Sequence, residues 1–183
     1  MSGRLIILDR DGVINHDSDD YIKSPDEWLP IDGVGKAIAL LNKAGYKVAV
    51  ATNQSGLARG MFDEHVLQDI HHKMQDYLSG YGAHLDKVLF CSDHPNQPGP
   101  NRKPAPGMAL ELLALYSATA SETWFVGDSL SDIQCANRAS CKPALVKTGK
   151  GLRTLKEKSF ASLNVPVYDD LLDFVTRELG LNV

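Results

Sequence analysis

Five short runs, Leu5-Ile6-Ile7-Leu8, Lys47-Val48-Ala49-Val50-Ala51, Lys87-Val88-Leu89-Phe90, Thr123-Trp124-Phe125-Val126 and Pro143-Ala144-Leu145-Val146, are apolar at almost every position, and helix-length amphipathic stretches separate them. A strand covered on one face alternates apolar and polar residues, whereas one that is apolar throughout is buried on both faces. That pattern points to the α/β class: a Rossmann-like, doubly wound, mainly parallel sheet flanked by helices. Helices are expected over about 34–44, 63–79, 106–117, 129–139 and 169–179. The clearest is 63–79, where Val66, Ile70, Met74 and Tyr77 recur at helical spacing and Gly80 supplies a stop. His65, His71 and His72 are expected on its outer face. Gly45 and Gly180 close the first and last helices.

Two polar, Pro-containing stretches, 15–30 and 92–104, break the alternation and read as ordered loops. Both follow strands, so they emerge at the carboxyl ends of a parallel sheet, where open α/β folds bind ligands. The 183 residues, 43% hydrophobic and 23% charged, suffice for one core, and residues 1–183 are read as a single domain. A net charge of −4 gives no reason to expect a nucleic-acid or membrane partner, so an anionic substrate must be held by local charge. No apolar stretch approaches the roughly 20 residues that span a bilayer. Three cysteines at unrelated spacings, Cys91, Cys135 and Cys141, suit a reducing compartment. A cytoplasmic monomer is the expectation.

Asp9 and Asp11 close the first run, two apart, so that in extended backbone their side chains point the same way. One carboxylate of such a pair can attack phosphorus, while the other, with a raised pKa, protonates the leaving oxygen and later takes a proton from water. Gly12 permits the sharp exit that turns both toward one site. Alone, Asp-x-Asp-Gly could be a turn. The other strand ends add to it: Thr52-Asn53, then Arg102-Lys103 before the third helix, then Gly127-Asp128 with Asp132 four residues on. Thr52 offers a hydroxyl to a phosphoryl oxygen, and Lys103 a cation that neutralises phosphate and crowded carboxylates. Asp128 completes an oxygen-rich set suited to Mg²⁺. Asp132 is placed to hold Lys103 or a metal-bound water. Singly, Thr52 or Asp128 could cap a helix and Lys103 could be solvated.

Across residues 4–149 these positions resemble, in chain order, the four motifs of the haloacid dehalogenase-like hydrolase superfamily. The resemblance implies that Asp9 is the nucleophile, Asp11 the general acid/base, and Thr52 and Lys103 the phosphoryl stabilisers. Asp9, Asp128 and the Asp11 carbonyl would then hold Mg²⁺. The second aspartate favours phosphatases over dehalogenases. Asp9-Arg10-Asp11-Gly12-Val13-Ile14-Asn15, Thr52-Asn53-Gln54-Ser55-Gly56 with Ala58-Arg59-Gly60, and Arg102-Lys103-Pro104-Ala105-Pro106-Gly107-Met108 are similar to one branch. That branch holds the D-glycero-D-manno-heptose 1,7-bisphosphate 7-phosphatases, which serve lipopolysaccharide core synthesis, and the histidinol-phosphate phosphatases.

The heptose family is favoured, with a small sugar phosphate as the partner molecule. Carried over motif by motif, Arg10, Asn53, Gln54, Ser55 and Arg102 would contact substrate, joined by Asp17 and Tyr21. Arg102 would recognise the part of the substrate that is not cleaved. The chain departs from the family at its zinc loop. Only Cys91 remains, Asp93 stands where a histidine is expected, and Pro98-Gly99-Pro100-Asn101 holds no cysteine. Cys91 and His94 alone do not make a tetrahedral site, so zinc is expected to be absent. No insertion between Gly12 and Thr52 or between Thr52 and Lys103 is long enough for a cap domain. The alternatives are a histidinol-phosphate phosphatase and, in another class, a non-catalytic phosphosugar-binding module.

Overall fold

A computed structural model of the chain describes residues 3–182. Six strands, β1 (Leu5–Leu8), β2 (Lys47–Asn53), β3 (Lys87–Cys91), β4 (Trp124–Gly127), β5 (Lys142–Val146) and β6 (Val167–Tyr168), form one sheet. Its order is β3-β2-β1-β4-β5-β6, and every neighbouring pair is parallel. Helices α1 (Val34–Lys43), α2 (Glu64–Ser79), α3 (Gly107–Leu115), α4 (Leu130–Arg138), α5 (Gly151–Thr154), α6 (Lys158–Ala161) and α7 (Leu171–Arg177) lie between and after the strands. The first five strands and five of the helices are those the hydrophobic pattern predicts. The two-residue β6 and the four-residue α5 and α6 are too short to carry any periodicity, and the pattern misses them.

Side-chain alternation along the strands builds two main cores, and a smaller third cluster joins Ile133, Leu145 and Phe160. Ile6, Leu8, Val48, Val50, Val126 and Val146 face α1, α2 and α7, whereas Leu5, Ile7, Ala49, Ala51 and Phe125 face α3 and α4. Central strands buried on both faces are what made their sequences apolar throughout. Leu41 of α1 is fully buried in the first core, and Leu41→Ala is expected to destabilise the fold by about 3 kcal/mol in urea unfolding.

α1 starts at Val34 as expected, while α2, α4 and α7 start one or two residues later than expected because polar caps precede them. Asp63 accepts the Val66 N–H, Asp170 accepts the Asp173 N–H, and Ser129 is the N-cap of α4. On α2 the buried stripe is Leu67, Ile70, Met74 and Leu78, with Val66 and Tyr77 at its margins. Beyond α1, Gly45 adopts φ +81°, the left-handed conformation that a helix exit favours.

β2 and β4 flank β1 on opposite sides, so the chain's winding reverses at β1, and ligands bind at such a switch point. Asp9 and Asp128 follow the two strands that meet there, and the Asp9 N–H donates to the Val126 carbonyl at 3.0 Å. Among the described residues no second sheet stands over this edge, and no helix is long and apolar enough to cross a membrane.

Candidate active site

A cavity of about 410 Å³ opens at this edge. Of the residues singled out in the sequence, Asp9, Asp11, Asp17, Tyr21, Asn53, Gln54, Ser55, Arg102, Lys103 and Asp128 all line it. Loop 15–30 supplies one wall and Pro95, Arg102 and Lys103 of loop 92–104 another, while the carboxylates form the end nearest the sheet.

Lys103 organises that end. Its ammonium is 2.9 Å from Asp9 Oδ1, 2.7 Å from Asp132 Oδ1 and 2.8 Å from the Ala51 carbonyl, so all three of its donors are used inside the protein. The Asn53 side chain fixes the lysine's backbone from both sides, accepting the Lys103 N–H and donating to its carbonyl, each at 3.0 Å. Burial opposes the charge on Lys103, but Asp132 and Asp9 outweigh it and hold the pKa above the ordinary lysine range. Of the two roles open to Asp132, the geometry selects the grip on Lys103. Its other oxygen accepts the N–H groups of Asp128 and Ser129 and the Ser129 hydroxyl. Ser129 therefore caps α4, and Asp128 is left to face the cavity.

Two carboxylates are short of positive charge. Burial, then Asp132, push Asp9 up to about 7 despite Lys103, and burial, Asp132 and Asp9 push Asp128 up to about 8. Ligand oxygens of Asp9, Asp128 and Asp132 lie within 4.8 Å of one another. With Asp132 engaged by Lys103, Asp9 and Asp128 form an all-oxygen, electron-rich pair, a donor set that fits a hard divalent cation such as Mg²⁺. Gly12, at φ +82°, gives the pair room, since a Cβ there would overlap the Asp128 carboxylate.

Three expectations need correction. Asp11 was expected to have a raised pKa. Although burial raises it, the Arg10 guanidinium and hydrogen bonds from Asn15, Gln54 and Arg10 prevail and leave it below the ordinary carboxylate range. Those donors stand at 2.9 Å for Asn15 and Gln54 and 2.9–3.1 Å for Arg10. Arg10 was expected on the substrate. It is instead completely buried, off the cavity wall, and grips Asp11. His71 was expected to face outward. Its ring lies 3.3 Å from Arg10 Nη1 and is tilted against Phe90, and burial followed by the Arg10 charge lowers its pKa to about 4, so the neutral ring accepts from Arg10. His65 and His72 do point outward.

Thr52 sits just behind the wall, 1% exposed, and its hydroxyl accepts from Gln54 Nε2 at 2.9 Å. Tyr21 lines the cavity at φ +65°, a strained conformation for a non-glycine residue of the kind concentrated at binding loops. All three cysteines are buried thiols, and burial lifts Cys135 to about 12 and Cys141 to about 11. The wall also includes Lys150, Ser129 and Ser131, which the motifs do not cover. The available signal was Thr148-Gly149-Lys150, a glycine turn just past the fifth strand.

Comparison with known proteins places the chain among phosphatase relatives. A family model described as HAD-hydrolase-like matches residues 100–174. The D-glycero-β-D-manno-heptose-1,7-bisphosphate 7-phosphatase of Pseudomonas aeruginosa is 50% identical over 155 residues, covering 85% of this chain and 87% of its own. That of Neisseria meningitidis serogroup A is 48% identical over 173 residues, covering 93% and 92%. The solved D,D-heptose 1,7-bisphosphate phosphatase of Bordetella bronchiseptica, complexed with magnesium and phosphate, has a TM-score of 0.93 at 44% identity. It covers 97% of this chain and 98% of its own. Identity of 44–50% to such relatives, over most of both chains, makes this chain a member of the HAD-like hydrolases, in the family of the heptose-1,7-bisphosphate 7-phosphatases.

Proposed function

We propose that the protein removes the 7-phosphate of D-glycero-D-manno-heptose 1,7-bisphosphate by way of a phosphoryl group carried on Asp9. The observation that carries this reading is the buried Asp9 carboxylate, 2.9 Å from Lys103 Nζ, at the base of a polar cavity in a chain so similar to heptose bisphosphatases. The Asp9 oxygen attacks phosphorus, the bond from phosphorus to the sugar oxygen breaks, and Asp11 gives that oxygen its proton. Water then attacks phosphorus, Asp11 takes the water's proton, and the Asp9 oxygen leaves as a carboxylate, releasing phosphate.

Asp11 must hold a proton for the first step, and Arg10 opposes this in the resting arrangement. The incoming phosphate brings negative charge beside Asp11, which favours the protonated form. Lys103 through its charge, and Thr52 through its hydroxyl and the amides that follow it, would stabilise the negative charge of the phosphoryl group. Asp9, Asp128 and the Asp11 carbonyl would hold Mg²⁺, which when bound supplies charge neutralisation for carboxylate and phosphate together. Asp17, Tyr21, Asn53, Gln54, Ser55 and Arg102 would contact the sugar and its second phosphate. A place in nucleotide-activated heptose synthesis, in the cytoplasm, follows from that substrate.

The zinc-free reading of loop 92–104 is supported by its bonding. Asp93 Oδ2 accepts the Gly99 N–H at 2.8 Å, the Asp93 carbonyl accepts from Arg102 at 3.0 Å, and His94 Nδ1 accepts the Asn96 N–H at 3.2 Å. Metal analysis of protein produced in zinc-supplemented medium is expected to find far less than one zinc per chain, and a stoichiometric zinc would overturn this.

Phosphate release from heptose bisphosphate and from histidinol phosphate, each with Mg²⁺, tests the substrate. Catalytic efficiency is expected to favour the heptose by about 100-fold or more, since a site built for several hydroxyls leaves polar groups unpaired with the wrong ligand. A preference for histidinol phosphate would reverse the assignment.

A further inference from the structure

The turn after β5 reaches both the carboxylates and the loop that walls the cavity. Thr148 Oγ1 donates to the Gly12 carbonyl at 2.6 Å, and the Lys150 N–H donates to Asp128 Oδ2 at 2.7 Å. Gly149 sits at φ +56°, where a Cβ would overlap both the Asp128 carboxylate and the Gly12 backbone. Thr154 Oγ1 donates to the Asp128 carbonyl at 2.9 Å. In the other direction, Lys150 Nζ lies 3.2 Å from Asp17 Oδ2, and both side chains are on the cavity wall. The Asp17 side chain is only 15% exposed and Lys150 44%, which sets this pair apart from the open Arg153–Asp19 contact next to it, at 67% and 71%.

We propose that Lys150 is a positioning residue with two separable tasks: its main chain fixes the metal ligand Asp128, and its ammonium fixes Asp17, holding loop 15–30 in the conformation that receives substrate. The proposal rests on the phosphatase reading above. Isolated surface pairs contribute little, because two long side chains lose entropy and water screens the charges. Here one partner is largely sheltered, and the lysine's backbone is already anchored by the Asp128 bond, so less freedom remains to be lost. The other cavity cations are engaged elsewhere: Lys103 with three internal acceptors, and Arg102 with the Asp93 carbonyl.

Lys150→Met keeps the main-chain N–H and removes the ammonium. It is expected to raise KM for the bisphosphate about tenfold with kcat little changed, while Mg²⁺ affinity, measured by calorimetry, stays at the wild-type value. Lys150→Arg is expected to recover most of the lost affinity. Asp17→Asn raises KM at least as much, and the double variant is no worse than Asp17→Asn alone, because the lysine acts through the aspartate. A double variant whose loss is the product of the two single losses would show that Lys150 touches substrate itself and would overturn the proposal. Weaker Mg²⁺ binding by Lys150→Met would overturn it as well. If the wild type does not turn over heptose bisphosphate, the functional reading fails on that result, and the same cycle is read on whichever phosphate ester it does hydrolyse.

Discussion

Asp9→Asn is expected to lower kcat by on the order of 10⁴-fold or more while leaving the protein folded, as removal of a covalent nucleophile does. The amide keeps the shape of the side chain and an oxygen for Lys103, but it cannot attack phosphorus. It also removes one of the two buried carboxylates that share Lys103, in a cluster that includes Asp128. Asp9, pushed up to about 7, holds its charge at a cost in the folded state. Without Mg²⁺, thermal unfolding of Asp9→Asn is therefore expected no lower than that of the wild type. With Mg²⁺, only the wild type is expected to gain fully, since a ligand that binds the native state stabilises it by mass action. A variant that loses activity because it unfolds would contradict this account, as would one that keeps wild-type turnover.

Lys103→Met is expected to fail in the opposite way, through stability as well as chemistry. The lysine is 3% exposed and satisfies Asp9, Asp132 and the Ala51 carbonyl at once. Removing one partner of a buried ionic cluster leaves charge uncompensated, at about 3–5 kcal/mol. For a domain of this size that is on the order of 10 °C in Tm. Loss of charge at the phosphoryl group is expected to cut kcat by about 10²–10³-fold more in whatever fraction folds. Scanning calorimetry and steady-state kinetics on the same preparation separate the two effects. An unshifted Tm would mean that Lys103 does not hold the carboxylate cluster together.

Much of this architecture was readable because burial and strand order leave marks on composition. Leu5–Leu8 and Val48–Ala51 are apolar because helices cover both faces of the strands, and polar residues at their carboxyl ends lie at the cavity edge. Asp9, Asn53 and Asp128 follow from that rule, and Lys103 from its place in the loop after β3. Residues that act behind the site do not, because their direction is set by tertiary packing. His71 has helical spacing and a polar side chain, both of which place it in solvent, yet α2 leans it against Arg10 and Phe90. Arg10 lies between two cavity aspartates in sequence, but its side chain takes the opposite direction and becomes the clamp on Asp11. Lys150 was hidden for another reason. It stands 22 residues beyond Asp128, and only the parallel pairing of β4 with β5 brings its backbone N–H to that carboxylate.

The central claim is that the phosphoryl group passes through Asp9, and rapid quenching during turnover of the bisphosphate tests it most directly. Mass spectrometry of the digested protein is expected to find one phosphoryl group on the peptide that contains Asp9, lost on treatment with hydroxylamine and absent from Asp9→Asn. A phosphorylated peptide from elsewhere in the chain, or turnover with no phosphoryl-protein at any quench time while the Asp9→Asn variant remains active, would contradict it.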